Sequence, residues 1–111
     1  MTDFRLKEGD TEPPLTVTLK RDGSAFDLST VTNASVQFRM GATDEDPQVD
    51  ASATIVDAGA GEVQYDWQSG DTDTAGTYNC EFVVTGDNNY ESTFPVDGYI
   101  VGTISREVQS T

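Results

Sequence analysis

Apolar and polar residues alternate along most of this chain with a period of two. Thr16-Val17-Thr18-Leu19 is the first such run. Ala34 to Met40 sets Val36, Phe38 and Met40 against Ser35, Gln37 and Arg39. Glu62 to Gln68 sets Val63, Tyr65 and Trp67 against Gln64 and Asp66. Gly76 to Val84 sets Tyr78, Cys80, Phe82 and Val84 against Thr77, Asn79 and Glu81. Successive side chains of a strand point to opposite faces, so each run predicts a strand with one buried and one wet face. Ser52 to Val56, Tyr90 to Phe94 and Gly98 to Ser105 read as further strands. No segment sustains a helical period. Turn residues punctuate the runs at Arg21-Asp22-Gly23-Ser24, Asp57-Ala58-Gly59-Ala60-Gly61 and Gly86-Asp87-Asn88-Asn89, and Gly41 to Pro47 reads as an acidic loop. Pro13-Pro14 marks the entry to the first run, since proline cannot donate to a ladder. The pattern predicts seven to eight short strands in an all-β sandwich or barrel.

One segment narrows that choice. Asp71-Thr72-Asp73-Thr74-Ala75-Gly76 is a turn, and Tyr78 follows it two residues before Cys80. This order matches the tyrosine corner of immunoglobulin-like sandwiches, in which the phenol bonds back to upstream backbone. We therefore expect an immunoglobulin-like antiparallel β-sandwich. Its core should comprise Leu15, Val17, Leu19, Val36, Phe38, Ile55, Val63, Tyr65, Trp67, Tyr78, Cys80, Phe82, Val84, Phe94, Ile100 and Ile104. Trp67 is the natural anchor and is expected beside Tyr78 and Cys80, which share its inward parity. The 111 residues read as a single domain, 1–111, with residues 1–8 as a candidate N-terminal arm. Within the arm, Phe4 and Leu6 are apolar residues in polar surroundings. They either pair into the sheet or, with Arg5, dock on a partner.

Charge changes the picture. Twenty acidic residues face six basic ones, for a formal net charge of -14. Nucleic acid and anionic membranes should be repelled by such a surface, so neither is an expected partner. Aspartate outnumbers glutamate, and Lys7 and Lys20 are the only lysines. Strongly hydrated carboxylates on a lysine-poor surface suit molar salt, where the Debye length shrinks to about 3 Å. A halophilic source is expected; an ordinary acidic protein and a DNA mimic are the alternatives. No apolar run reaches membrane-spanning length, and no signal-peptide pattern opens the chain.

Candidate chemistry is sparse. There is no histidine, the usual base for a nucleophile and the commonest zinc ligand. Cys80, the only cysteine, lies on an inward face and reads as a packed thiol. No phosphate-binding loop, dinucleotide fingerprint or metalloprotease pattern occurs. Asp44-Glu45-Asp46 with Asp50, and Asp71 with Asp73, could meet a hard cation, but neither has the EF-hand order, and solvated acids are the simpler reading. No enzyme activity, cofactor or metal is expected. Tyr90 and Tyr99, read as exposed in late loops, leave room for a module that stacks on host glycans or binds a host surface.

Three segments together resemble the N-terminal domain of phage baseplate upper proteins. The first is Lys7-Glu8-Gly9-Asp10-Thr11-Glu12-Pro13-Pro14-Leu15-Thr16-Val17-Thr18-Leu19, with Asp22-Gly23 and Asp27-Leu28-Ser29 after it. The second is Val36-Gln37-Phe38-Arg39-Met40. The third runs Gly61-Glu62-Val63-Gln64-Tyr65-Asp66-Trp67, Asp71-Thr72, Gly76-Thr77-Tyr78-Asn79-Cys80-Glu81-Phe82, Thr93-Phe94-Pro95 and Ile100. The resemblance implies a non-enzymatic structural virion protein, a tail or baseplate adaptor of a tailed virus, here adapted to high salt. Its implied partners are other virion proteins and further copies of itself, as a homo-oligomer within the particle. The chain ends soon after its last strand, which leaves a capsid decoration protein as the alternative placement.

Overall fold

Alternation becomes ten strands in the computed structural model, which describes residues 3–41, 48–95 and 99–106. They are β1 (Phe4–Lys7), β2 (Leu15–Thr18), β3 (Lys20–Arg21), β4 (Ser24–Ala25), β5 (Ser35–Gly41), β6 (Val49–Asp57), β7 (Glu62–Tyr65), β8 (Gly76–Thr85), β9 (Glu91–Phe94) and β10 (Ile100–Ser105). One 3₁₀ turn, Leu28–Thr30, is capped by Asp27, whose side chain accepts from the Ser29 N–H. The fold is all-β, as the period of two requires. It exceeds the expected strand number for two local reasons. The arm pairs as β1, and Asp22 (φ 55°) with Gly23 (φ 82°) makes a positive-φ hairpin turn that draws β3 against β4.

The strands form two layers joined at β6. The larger sheet runs β1-β10-β8-β5-β6, and the smaller runs β6-β7-β2. Residues 49–53 of β6 pair with β5, and residues 54–57 pair with β7. The register shifts between Ile55 and Asp57, where the strand crosses from one sheet to the other. That crossing leaves Ile55 half-buried rather than in the core. β9 and β10 share one side of β8: β9 pairs with Phe82–Thr85 and β10 with Gly76–Cys80. They are two halves of one interrupted strand. β1 closes that side in parallel with β10, with Phe4 opposite Gly102 and Leu6 opposite Ile104.

All the other expected core residues are buried, and Leu6, Leu28, Val31, Met40 and Val49 join them. Val83 is a different case. Its parity points outward, yet it is 3% exposed, because β5 and β9 flank it with Gln37 and Thr93. Trp67 is buried in the same cluster as Tyr78 and Cys80, and its ring partners are Phe4 (5.3 Å), Phe38 (5.6 Å) and Tyr65 (5.2 Å). β7 stops at Tyr65, and Trp67 lies beyond it, where Phe4 of β1 packs on its ring. Gly102 makes room for Phe4: a Cβ there would sit 2.2 Å from the ring. The aromatic ring thus covers a glycine on the neighbouring strand.

Candidate docking surface

The residues that carried the resemblance converge on one end of the sandwich. Tyr78 Oη donates to the Thr74 carbonyl oxygen at 2.7 Å, completing the tyrosine corner. Thr72, 1% exposed, donates through Oγ1 to the Asp10 carbonyl oxygen at 2.8 Å, and its own carbonyl accepts from the Gly9 N–H. Asp71 Oδ2 accepts from Tyr65 Oη and from the Gln68 N–H. Gln48 Nε2 donates to the Asp71 carbonyl. Gly9-Asp10, Tyr65, Asp71-Thr72 and Tyr78 therefore tie the N-terminal loop, the 66–75 loop and the start of β6 together. These groups satisfy buried backbone and side-chain polar atoms. Their arrangement is architectural.

The same bonds bear on the candidate chemistry. One oxygen of Asp71 is held by a phenol and a backbone amide, and among the described residues no three potential ligands gather around a point. Asp44, Glu45 and Asp46 lie outside the described residues, as does Gly98. Cys80 is fully buried, and burial pushes its thiol up to about 12, with a weaker opposing pull from the Gly102 backbone. A neutral, enclosed thiol is no nucleophile. Burial also raises the Tyr65 phenol above its ordinary value, helped by the Asp71 carboxylate it donates to and then by Asp66.

Both shifts favour the protonated form in the fold. The unfolded chain gives up these protons first, from about pH 9 for the thiol and pH 10 for the phenol. Stability should therefore hold up to pH 9 and fall as pH rises beyond it, by up to ~1.4 kcal/mol per pH unit for each group. Melting followed from pH 7 to pH 11 checks this. Cys80→Ala should move the onset of the fall toward pH 10, whereas a flat profile in both proteins would refute it.

Two other expectations need correction. Leu6 is buried in the chain's own core and Phe4 packs on Trp67, so pairing into the sheet accounts for the arm's apolar residues. Of Phe4, Arg5 and Leu6, only Arg5 is exposed on the outer face. Tyr99 is 44% exposed, but Tyr90 packs against the core with its hydroxyl enclosed and without a hydrogen-bond partner. Tyr90 directly precedes β9, whereas Tyr99 directly precedes β10.

What alternation along single strands does not reveal is the charge on whole sheet faces. The strands of the larger sheet carry Arg5, Lys7 and Arg39, balanced by Asp50, Glu81 and Glu91. All six point to the outer face, and Arg39 pairs with Asp50 at 3.4 Å. Between them stand Thr77, Asn79, Val83, Val101, Thr103 and Gln37. Among the described strand residues of this face the charges thus balance, on a chain of net charge -14. Interface cores are depleted in charged residues relative to the rest of a surface. Parity gives each of these charges its outward side, but only the strand pairing gathers them on one face. The outer face of the smaller sheet is more acidic, carrying Asp57, Glu62 and, just past β7, Asp66, against Lys20 just past β2.

Comparison with known proteins agrees with the architecture. No curated protein matches the chain. Among solved structures it is similar to CopC from Methylosinus trichosporium OB3b, with a TM-score of 0.54 and 11% identity, covering 100% of this chain and 91% of that one. At that identity the likeness concerns the fold alone. The family described as the BppU N-terminal domain matches residues 1–96, in which every motif of the structural junction falls. The chain thus belongs to the family of baseplate upper protein N-terminal domains, a structural component of the phage tail baseplate that works against other virion proteins.

Proposed function

We propose that the chain is a non-enzymatic adaptor of the baseplate, docking on its neighbour through the outer face of the larger sheet. The observation that carries this reading is the balanced face itself. Its three strand acids are matched by three cations, whereas acids crowd the turns and the smaller sheet. A surface that must approach another protein closely gains from lacking uniform charge, because like charges brought together across an interface are costly. The family junction, by contrast, holds the fold together and leaves this face free to differ. Thr77→Asp with Thr103→Asp adds two acids to the face at positions outside the core. The two positions face each other across β8 and β10, so the paired aspartates should lower the melting temperature at low salt; in molar KCl, where their repulsion is screened, we expect the doubly substituted protein to fold and yet to be lost from assembled particles. Normal incorporation would refute the reading.

The same proposal includes operation in molar salt. With twenty acids against six bases, self-repulsion opposes compaction at low ionic strength and fades as screening grows. The melting temperature should climb steadily from low salt to molar KCl. A level curve would leave an acidic protein without salt adaptation.

A further inference from the structure

We infer that the open edge of β2 accepts an extended strand from a different protein of the particle, a contact separate from the larger sheet's outer face. It rests on the adaptor reading above, since an adaptor must hold two neighbours. Strand edges expose unpaired backbone N–H and C=O groups and are templates for a further strand. Apart from the two-residue hairpin strands, β1, β2 and β9 each pair on one side only among the described residues. Two of these three edges are guarded. On β1, Asp10 folds back over Lys7: its Oδ2 accepts from the Lys7 N–H, and its own N–H donates to the Lys7 carbonyl oxygen, both at 3.1 Å. Arg5 and Lys7 add charge along that strand. β9 begins at Glu91 and is stopped by Pro95.

β2 has none of these devices. Its residues, Leu15-Thr16-Val17-Thr18, are uncharged and mostly β-branched. The Leu19 N–H donates to the Gly61 carbonyl oxygen, and the register sets Val17 opposite Val63 and Leu15 opposite Tyr65. Hydrogen-bonded pairs alternate along an antiparallel ladder, so Leu15, Val17 and Leu19 direct their backbone groups to β7. Thr16 and Thr18 direct theirs outward, and among the described residues no hydrogen bond reaches those groups. The occupant continues the pattern of β2, with apolar residues beside Leu15 and Val17 and polar ones beside Thr16 and Thr18. Charge decides whose strand it is. Glu12 precedes the slot, Glu62 lies opposite Thr18, and Asp66 follows β7, against Lys20 just past β2. A second copy's β2 would bring the same acids together. The strand therefore belongs to a different virion protein and carries lysine or arginine on its outer side.

The test compares the full chain, free in molar KCl and assembled in baseplates, by amide hydrogen exchange. In the free chain the Thr16 and Thr18 amides should exchange fast, while those of Val17 and Leu19 are protected. In the particle Thr16 and Thr18 should slow by roughly a hundredfold or more. Thr16→Pro and Thr18→Pro each remove an N–H that the fold does not use, so both should fold, whereas Val17→Pro should not. Both folded variants should be lost from particles, and normal incorporation of both would overturn the inference. So would equally fast exchange of Thr16 and Thr18 in the particle and in the free chain, a measurement that needs no variant. Protection that grows with concentration in the free chain would also overturn it, by making the occupant a second copy. If the edge stays open in the particle while the Thr77→Asp, Thr103→Asp protein is lost, the adaptor reading stands without this contact. If the edge is protected while that protein assembles normally, the edge docks and the face does not.

Discussion

Trp67→Ala should lower the stability of the fold by ~3–5 kcal/mol, the usual cost of truncating a large buried aromatic. The indole is 5% exposed and meets rings from three different strands or their ends: Phe4 from β1, Phe38 from β5 and Tyr65 from β7. Phe38 and Tyr65 are also stacked on each other at 4.5 Å. Removing Trp67 therefore leaves a cavity where both sheets and the arm meet, and frees Phe4 from its seat over Gly102. A fall in melting temperature of roughly 10–25 °C is expected. Since Trp67 is the only tryptophan, its fluorescence provides an independent check. The folded protein should emit as a buried indole and shift to the red on unfolding. Melting within a few degrees of the unmodified protein, or emission of a water-exposed indole from the folded state, would contradict the packing.

Gly61→Ala should be nearly as damaging, for a reason of backbone rather than core. Gly61 closes the turn between β6 and β7 at φ +68°, a left-handed conformation that costs an L-residue about 1 kcal/mol. A Cβ there would sit 2.4 Å from the Phe26 carbonyl oxygen and 3.1 Å from that of Leu19. Both obstacles are backbone. They belong to a connected set of bonds, in which the Leu19 N–H donates to the Gly61 carbonyl and the Phe26 N–H to the Leu19 carbonyl, each at 2.8 Å. The methyl group must break that set, so the total loss should exceed ~3 kcal/mol once two such bonds are strained. Gly59→Ala, two residues away in the same turn, is the control. Its Cβ would meet only Asp57 Oδ1 at 3.8 Å. Urea midpoints should separate the two variants widely; equal midpoints would show that the turn does not rest on the β3–β4 hairpin.

Much of the fold was legible because a strand's parity is local. The inward faces of β2, β5, β7 and β8 follow from alternation alone, since one wet and one dry face leave no other register. The tyrosine corner was legible because its acceptor, Thr74, lies only four residues from Tyr78. The positive-φ hairpin at Asp22-Gly23 and the turn at Asn88-Asn89 have the chemistry such conformations require. The candidate site was less so. Phe4, Arg5 and Leu6 stood out as an apolar arm with one cation, but whether the arm packs at home or abroad depends on a strand nearly a hundred residues away.

The sequence by itself determined the class of fold, most of the core, the absence of histidine chemistry and the family, all properties of residue identity and short-range order. Only the tertiary structure decided that β1 runs parallel to β10, that β6 serves both sheets, and that β9 and β10 are one broken strand. It also decided that six charges scattered from residue 5 to residue 91 cancel on a single face. Alternation says which side of a strand is wet. It does not say which strands lie side by side, because that pairing is chosen by packing between distant segments, and a face exists only once they are paired.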